Sequence, residues 1–130
     1  MTTSLIPPAV PIALINAAAL GQRVYFAVDA GWNLKIGGSI NVPQRGGQLR
    51  VTMIISVPGD QLTERRVQRM FAAARTGGEW YVPTDALIAY MHALIDTGET
   101  RIECGTVADA HHLVSEIYLH KHDALAMLAA

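Results

Sequence analysis

A chain of 130 residues, 51% apolar and 16% charged, has enough hydrophobic material for one compact domain and too little length for two ordinary ones. Its single cysteine, Cys104, excludes an intramolecular disulfide framework and a cysteine-based zinc site, and it fits a packed thiol in a reducing, cytoplasmic setting. A formal net charge of −1 gives the chain as a whole no nucleic-acid signature. Residues 1–22 are apolar, but no Lys or Arg precedes Arg23, and Pro7, Pro8 and Pro11 interrupt the run. The stretch after Pro11 is far below the ~20 residues of a membrane span, so neither a targeting signal nor a membrane helix is expected. Ile12 to Leu20, stopped at Gly21, reads as a short helix packed on the core.

Arg23 to Val28 reads as a strand, and Leu34-Lys35-Ile36 as a shorter one joined to it through Asp29-Ala30-Gly31-Trp32-Asn33. Alternation in this hairpin sets Val24, Phe26 and Val28 on one face and Tyr25 on the other, with Lys35 turned away from Leu34 and Ile36. Tyr25 and Lys35 can therefore share a face. Val42 to Leu49 predicts a short helix weakened by Gly46-Gly47 and carrying Arg45, ten positions after Lys35. Val51 to Val57 is a third strand, ended by Pro58-Gly59-Asp60.

Asp60 is a good N-cap for the next helix, in which Leu62, Val67, Met70, Phe71 and Ala74 make an apolar stripe and Gly77-Gly78 the stop. Glu64 lies in the first turn, away from that stripe; alone, it would be an acid that meets the helix macrodipole. Gly78-Glu79-Trp80-Tyr81 reads as a short extended segment closed by Pro83, with Trp80 assigned to the core and Tyr81 to a groove wall. A helix then runs from a cap at Thr84 or Asp85 to Gly98, Thr100 to Cys104 forms a strand, and Thr106 caps a final helix reaching about Leu128. On that last helix His112, Glu116 and His120 share one stripe, which a polar outer face explains better than a metal site does. The elements add up to an α/β domain of the α+β kind, with a small, mainly antiparallel sheet of about three strands flanked by helices and a helical C-terminal extension.

Charge is unevenly distributed along these elements. Residues 23–75 carry Arg23, Lys35, Arg45, Arg50, Arg65, Arg66, Arg69 and Arg75 against Asp29, Asp60 and Glu64, whereas residues 76–130 carry Arg101 and Lys121 against eight acids. A basic segment of this kind is what a phosphate-binding surface requires, although Arg65, Arg66 and Arg69 taken alone would also suit a solvated helix face.

Five blocks in order, Val24-Tyr25-Phe26, Lys35-Ile36-Gly37 with Ser39 and Asn41, Arg45, the helix beginning Glu64-Arg65-Arg66 and reaching Phe71, and Gly78-Glu79-Trp80-Tyr81, resemble the GIY-YIG nuclease superfamily. The likeness is to its small phage and bacterial branch, in which Lys replaces the Tyr of the second motif. It covers about residues 23–83, with an apolar segment (1–22) before it and a helical extension (84–130) packed on the same domain after it. The resemblance implies a DNA endonuclease with Tyr25, Lys35, Arg45 and Glu64 as catalytic residues: Tyr25 contacts or deprotonates water, Lys35 assists, Arg45 binds the scissile phosphate, and Glu64 holds a single Mg²⁺ or Mn²⁺. Chemistry agrees, since a carboxylate with phosphate oxygens and waters suffices for such a cation. Lys35 beside Tyr25 would lower the phenol's pKa from near 10.

Arg65, Arg66, Arg69 and Arg75 are the expected nucleic-acid contacts, and Trp32 at the hairpin tip either stacks on a base or folds back on the strands. DNA is the expected partner, with no membrane and with protein contact or self-association through the acidic C-terminal helices. Two other readings stand beside the enzyme: a catalytically silent module that keeps the basic groove for binding or assembly, and an accessory protein docked on a larger partner.

Overall fold

The computed structural model describes residues 21–129, and the short helix expected over residues 12–20 lies outside them. The elements run β1 (Arg23–Val28), β2 (Leu34–Ser39), α1 (Val42–Leu49), β3 (Thr52–Pro58), α2 (Gln61–Met70), a 3₁₀ turn (Ala72–Ala74), β4 (Arg75–Gly77), β5 (Trp80–Tyr81), α3 (Asp85–Ile95), β6 (Arg101–Ile102) and α4 (Val107–Ala129). The fold is α+β. Its sheet has six strands rather than three, in the order β4-β5-β2-β1-β3-β6, with every pairing antiparallel. The three long central strands are those the sequence pattern indicates, and β5 and β6 fall within the short extended segments read at Gly78 to Tyr81 and Thr100 to Cys104, so β4 is the strand the pattern lacks. β4, β5 and β6 are two or three residues long, too short to display an alternation of their own.

Period-two alternation in β1 divides the domain into two apolar layers. Val24, Phe26 and Val28 join Leu34 and Ile36 in the main core, against Val67 of α2, Leu87, Met91 and Leu94 of α3, and Val114 and Ile117 of α4. The C-terminal helices therefore share a core with the sheet. On the opposite face Tyr25 and Ala27 meet Val42 and Met53 in a smaller cluster under α1. A bulge between Phe26 and Ala27 in the β1–β3 pairing lets Ile54 and Ile55 both enter the main core while Met53 stays in the smaller one.

The helix starts follow their capping chemistry. Asn41, Asp60 and Thr84 each accept the backbone N–H three residues on, at 3.2, 3.0 and 3.3 Å. Thr106 and Asp109 bond reciprocally at the start of α4. In α1, Gly46 is buried, and a Cβ there would lie 3.0 Å from Met53 Cγ, so this glycine lets the short helix approach β3. α2 ends at Met70 rather than continuing to Gly77, because the chain tightens into the 3₁₀ turn and leaves as β4. Leu62 and Met70 are half exposed, at 51% and 50%, so the buried stripe is narrower than the sequence implies and centres on Thr63, Val67, Phe71 and Ala74.

Where α3 packs on α4, His92 Nδ1 and His111 Nδ1 are 2.8 Å apart with the rings stacked; Asp96 meets the far nitrogen of His111, and Ser115 that of His92. Burial, and then the neighbouring His111, pull the His92 pKa below 6.5, against the opposing pull of Asp96. The unfolded chain thus takes up a proton on His92 at a higher pH than the folded one does, so stability is lost as pH falls below 6.5. The expected result is a drop in urea midpoint between about pH 7.5 and about pH 5.5 that is smaller in His92→Phe than in wild type; equal drops would clear His92 of this role.

Candidate active site

β2 carries the site because it is the strand whose partner runs out. β5 pairs only with Leu34 and Lys35, and beyond them Ile36 donates its N–H to the Glu79 carbonyl and accepts on its own carbonyl a side chain, Gln68, in place of a strand. Four side chains gather at that opening. The Tyr25 ring crosses from β1 over Gly37, its partner in register, and a Cβ on Gly37 would lie 2.5 Å from Tyr25 Oη and 3.0 Å from Glu79 Oε1. Lys35 Nζ pairs with Glu79 Oε1 at 2.9 Å and sits 5.1 Å from the centre of the Trp80 ring. Glu64 arrives on α2, whose Val67 lies in the main core, and its carboxylate fills the space a side chain on Gly38 would need. Tyr25 and Glu64 thus belong to strand and helix surfaces on different sides of the sheet and meet around its open edge. Arg45, on exposed α1, is near enough to the Tyr25 hydroxyl to act on its pKa.

Electrostatics divide the two carboxyls. Burial, and then the hydrogen bond and charge of Glu79, raise Glu64 to about 7, against the smaller pull of Gln68 and Lys35. Burial also acts upward on Glu79, but Lys35 and the hydrogen bond from Glu64 outweigh it and hold its carboxyl below the ordinary value. In the bare protein Glu64 is thus the member of the pair that takes the proton. Tyr25 runs against the sequence expectation. Burial raises its pKa above 10, Arg45 opposes this, and Glu79 and Glu64 add to the rise. Lys35 is engaged by Glu79 and does not lower it, so Tyr25 is a protonated phenol at neutral pH, a hydrogen-bond donor rather than a base.

Glu79 and Gln68 join the set, although neither is among the catalytic residues that the resemblance implies. Glu79 lies within the Gly78-Glu79-Trp80-Tyr81 block. Gln68 is four residues after Glu64, the spacing that aligns two side chains on a helix, and its Nε2 donates to both Ile36 O (2.8 Å) and Glu64 Oε2 (3.1 Å). The amide therefore orients the carboxyl against the strand.

The expected nucleic-acid contacts divide. Arg65 and Arg69 are exposed one position beyond Glu64 and Gln68, on the adjoining stripe. Arg66 is partly buried with its Nε enclosed, and Arg75 Nε is held by Gly78 O at 2.6 Å, closing the β4–β5 turn. Trp32 is folded back: its ring stacks on His120 of α4 at 4.3 Å and 8°, away from the Tyr25 opening. On α4, Glu116 lies 3.2 Å from His112 and 3.4 Å from His120 at the surface.

Among the described residues, no group of three or more His, Cys, Asp or Glu side chains is arranged to hold a metal. Two converging carboxyls of which one must keep a proton are nonetheless a fitting donor set for Mg²⁺ or Mn²⁺, which take hard oxygens and complete their shells with water and phosphate. Glu64 and Glu79 are the residues that would hold it. No family model, curated protein or solved structure matches this chain.

The raised pKa of Glu64 has a thermodynamic signature. Between 4.5 and about 7 the unfolded chain has released a proton that the folded chain keeps, so stability falls as pH rises through that interval. In cation-free buffer, the fall in urea midpoint between about pH 5 and about pH 8 should be smaller in Glu64→Gln than in wild type. An identical fall in the two proteins would mean that Glu64 titrates normally.

Proposed function

We propose that the protein is a divalent-metal-dependent endonuclease of GIY-YIG type that hydrolyses DNA phosphodiesters. The observation that carries this reading is the meeting of Tyr25, Lys35, Glu64 and Glu79 at the open edge of β2, with Arg45 beside Tyr25. Cleaving a phosphodiester requires neutralising the phosphate, activating water and aligning the attacking and leaving oxygens. A cation held by Glu64 and Glu79 would supply Lewis acidity and a more acidic water. Arg45, exposed beside Tyr25, meets the phosphate that gains charge in the transition state. Tyr25 donates its phenolic proton in a hydrogen bond to an oxygen of the reacting group and keeps it. Lys35, fixed by Glu79 and the Trp80 ring, contributes positive charge at a set position rather than a flexible one. Arg65 and Arg69 extend the basic surface along the nucleic-acid backbone.

The setting we infer is the cytoplasm; no helix among the described residues is long and apolar enough to cross a membrane. A silent binding module is the second reading, favoured by the depth of the site: Tyr25 is 1% exposed and Lys35 9%.

Incubation with supercoiled plasmid and Mg²⁺ or Mn²⁺ separates the two. Wild type should nick or linearise the plasmid, Glu64→Ala should not, and Arg45→Ala should lose roughly 100-fold in rate with a much smaller loss of binding. Equal losses of rate and binding in Arg45→Ala, or cutting by Glu64→Ala at the wild-type rate, would remove these residues from catalysis. For binding itself, replacing Arg65 and Arg69 together should flatten the salt dependence by up to about 0.9 log units per lost phosphate contact. An unchanged slope would make them solvent-facing charges.

A further inference from the structure

Beside the β2 edge lies a second concavity that the proposed chemistry leaves unused. A cleft of about 470 Å³ opens between the hairpin end and the β4–β5 edge, lined by Asp29, Asn33, Thr76, Gly77 and Trp80. Its size falls within the range of sites that take small organic groups. One wall is the Trp80 indole, which pairs in register with Lys35 and lies 5.1 Å from its ammonium. Trp80 is therefore the residue through which the cleft adjoins Lys35.

Its polar groups are few and held in place. Asp29 Oδ1 accepts the N–H groups of Gly31 and Asn33, both at 2.9 Å, and its Oδ2 accepts Asn33 Nδ2 at 3.2 Å, so the one acid in the lining is already engaged. Asn33 Oδ1 accepts Lys121 Nζ at 2.9 Å, which fixes the amide from the other side and brings a cation to the rim. The Asn33 amide keeps a second N–H, and the Thr76 hydroxyl, which donates to Trp80 O at 3.3 Å, keeps lone pairs. An aromatic wall, a fixed amide and a hydroxyl acceptor are the groups that stack and edge-bond a heterocyclic base, and the cation at the rim suits its phosphate.

We propose that this cleft receives an unstacked nucleobase of the strand whose phosphate lies at the β2 edge, so that the substrate class is single-stranded or locally unpaired nucleic acid. The assignment rests on the nuclease reading for the position of the phosphate, but base binding can be read without cleavage. Gly77 supplies the test variant: it is in extended β4, lines the cleft, and a Cβ there would meet nothing within 4 Å, so Gly77→Leu fills the cleft without strain in the fold.

The experiment follows the indole N–H signals of the two tryptophans by NMR in EDTA, assigned with Trp32→Phe, as a short oligothymidylate, an abasic strand of the same length or thymidine monophosphate is added. The Trp80 signal should shift saturably with oligothymidylate while that of Trp32, stacked on His120, stays in place. The abasic strand should bind about tenfold more weakly, and Gly77→Leu should lose about tenfold for the intact strand and nothing for the abasic one. Equal affinity for intact and abasic strands, or an unmoved Trp80, would overturn the assignment, and plasmid cleavage would then leave the nuclease reading standing. A base-dependent Trp80 shift without any metal-dependent cleavage would support the cleft and remove the nuclease. Thymidine monophosphate binding as tightly as the strand would overturn the polymer as the source of the base.

Discussion

Two missing side chains on β2 determine what the rest of the molecule can assemble. At Gly37 a Cβ would lie 2.5 Å from Tyr25 Oη and 3.0 Å from Glu79 Oε1; at Gly38 it would enter the Glu64 carboxylate. Successive residues on a strand face opposite sides of the sheet, so consecutive glycines clear both sides at one level. That clearance is what allows a tyrosine from one face and a glutamate from a helix on the other to meet around the strand edge. The edge is open there because β5 stops pairing after Lys35.

Once these groups are together, their charges cannot be independent. One cation, Lys35, faces two carboxyls, and it is committed to Glu79 at 2.9 Å. Glu64 is left as the acid that holds a proton, and Gln68 fixes its orientation through the Ile36 carbonyl. Tyr25, buried and close to two acids, keeps its proton as well. The bare site is thus short of positive charge, which a divalent cation and the exposed Arg45 guanidinium are suited to supply.

Much of this arrangement was legible in the sequence, for reasons of range. The β1–β2 hairpin has clear alternation and a short connection, so the common face of Tyr25 and Lys35 follows from local geometry, and α1 has the bounds read from the sequence, Val42 to Leu49. Glu79 was not legible as a site residue because its position depends on a two-residue strand with no pattern of its own. For Arg66 and Trp32 the sequence leaves the placement open, for a different reason. A charge run does not reveal which arginine turns inward, and the partner that draws Trp32 back is His120, at the other end of the chain. The Tyr25 pKa was misjudged because proximity to Lys35 was inferred from register, while the competing acid that captures Lys35 comes from a separate segment.

The most direct measurement on the β2 edge is a Mn²⁺ titration followed by paramagnetic broadening of backbone amide signals. Binding at the carboxyl pair predicts that Gly37, Gly38, Glu64 and Glu79 broaden first, and that Gly38→Ala, which displaces the Glu64 carboxylate, removes the effect. Broadening centred instead on the surface stripe of His112, Glu116 and His120, with the β2 edge unaffected, would contradict it.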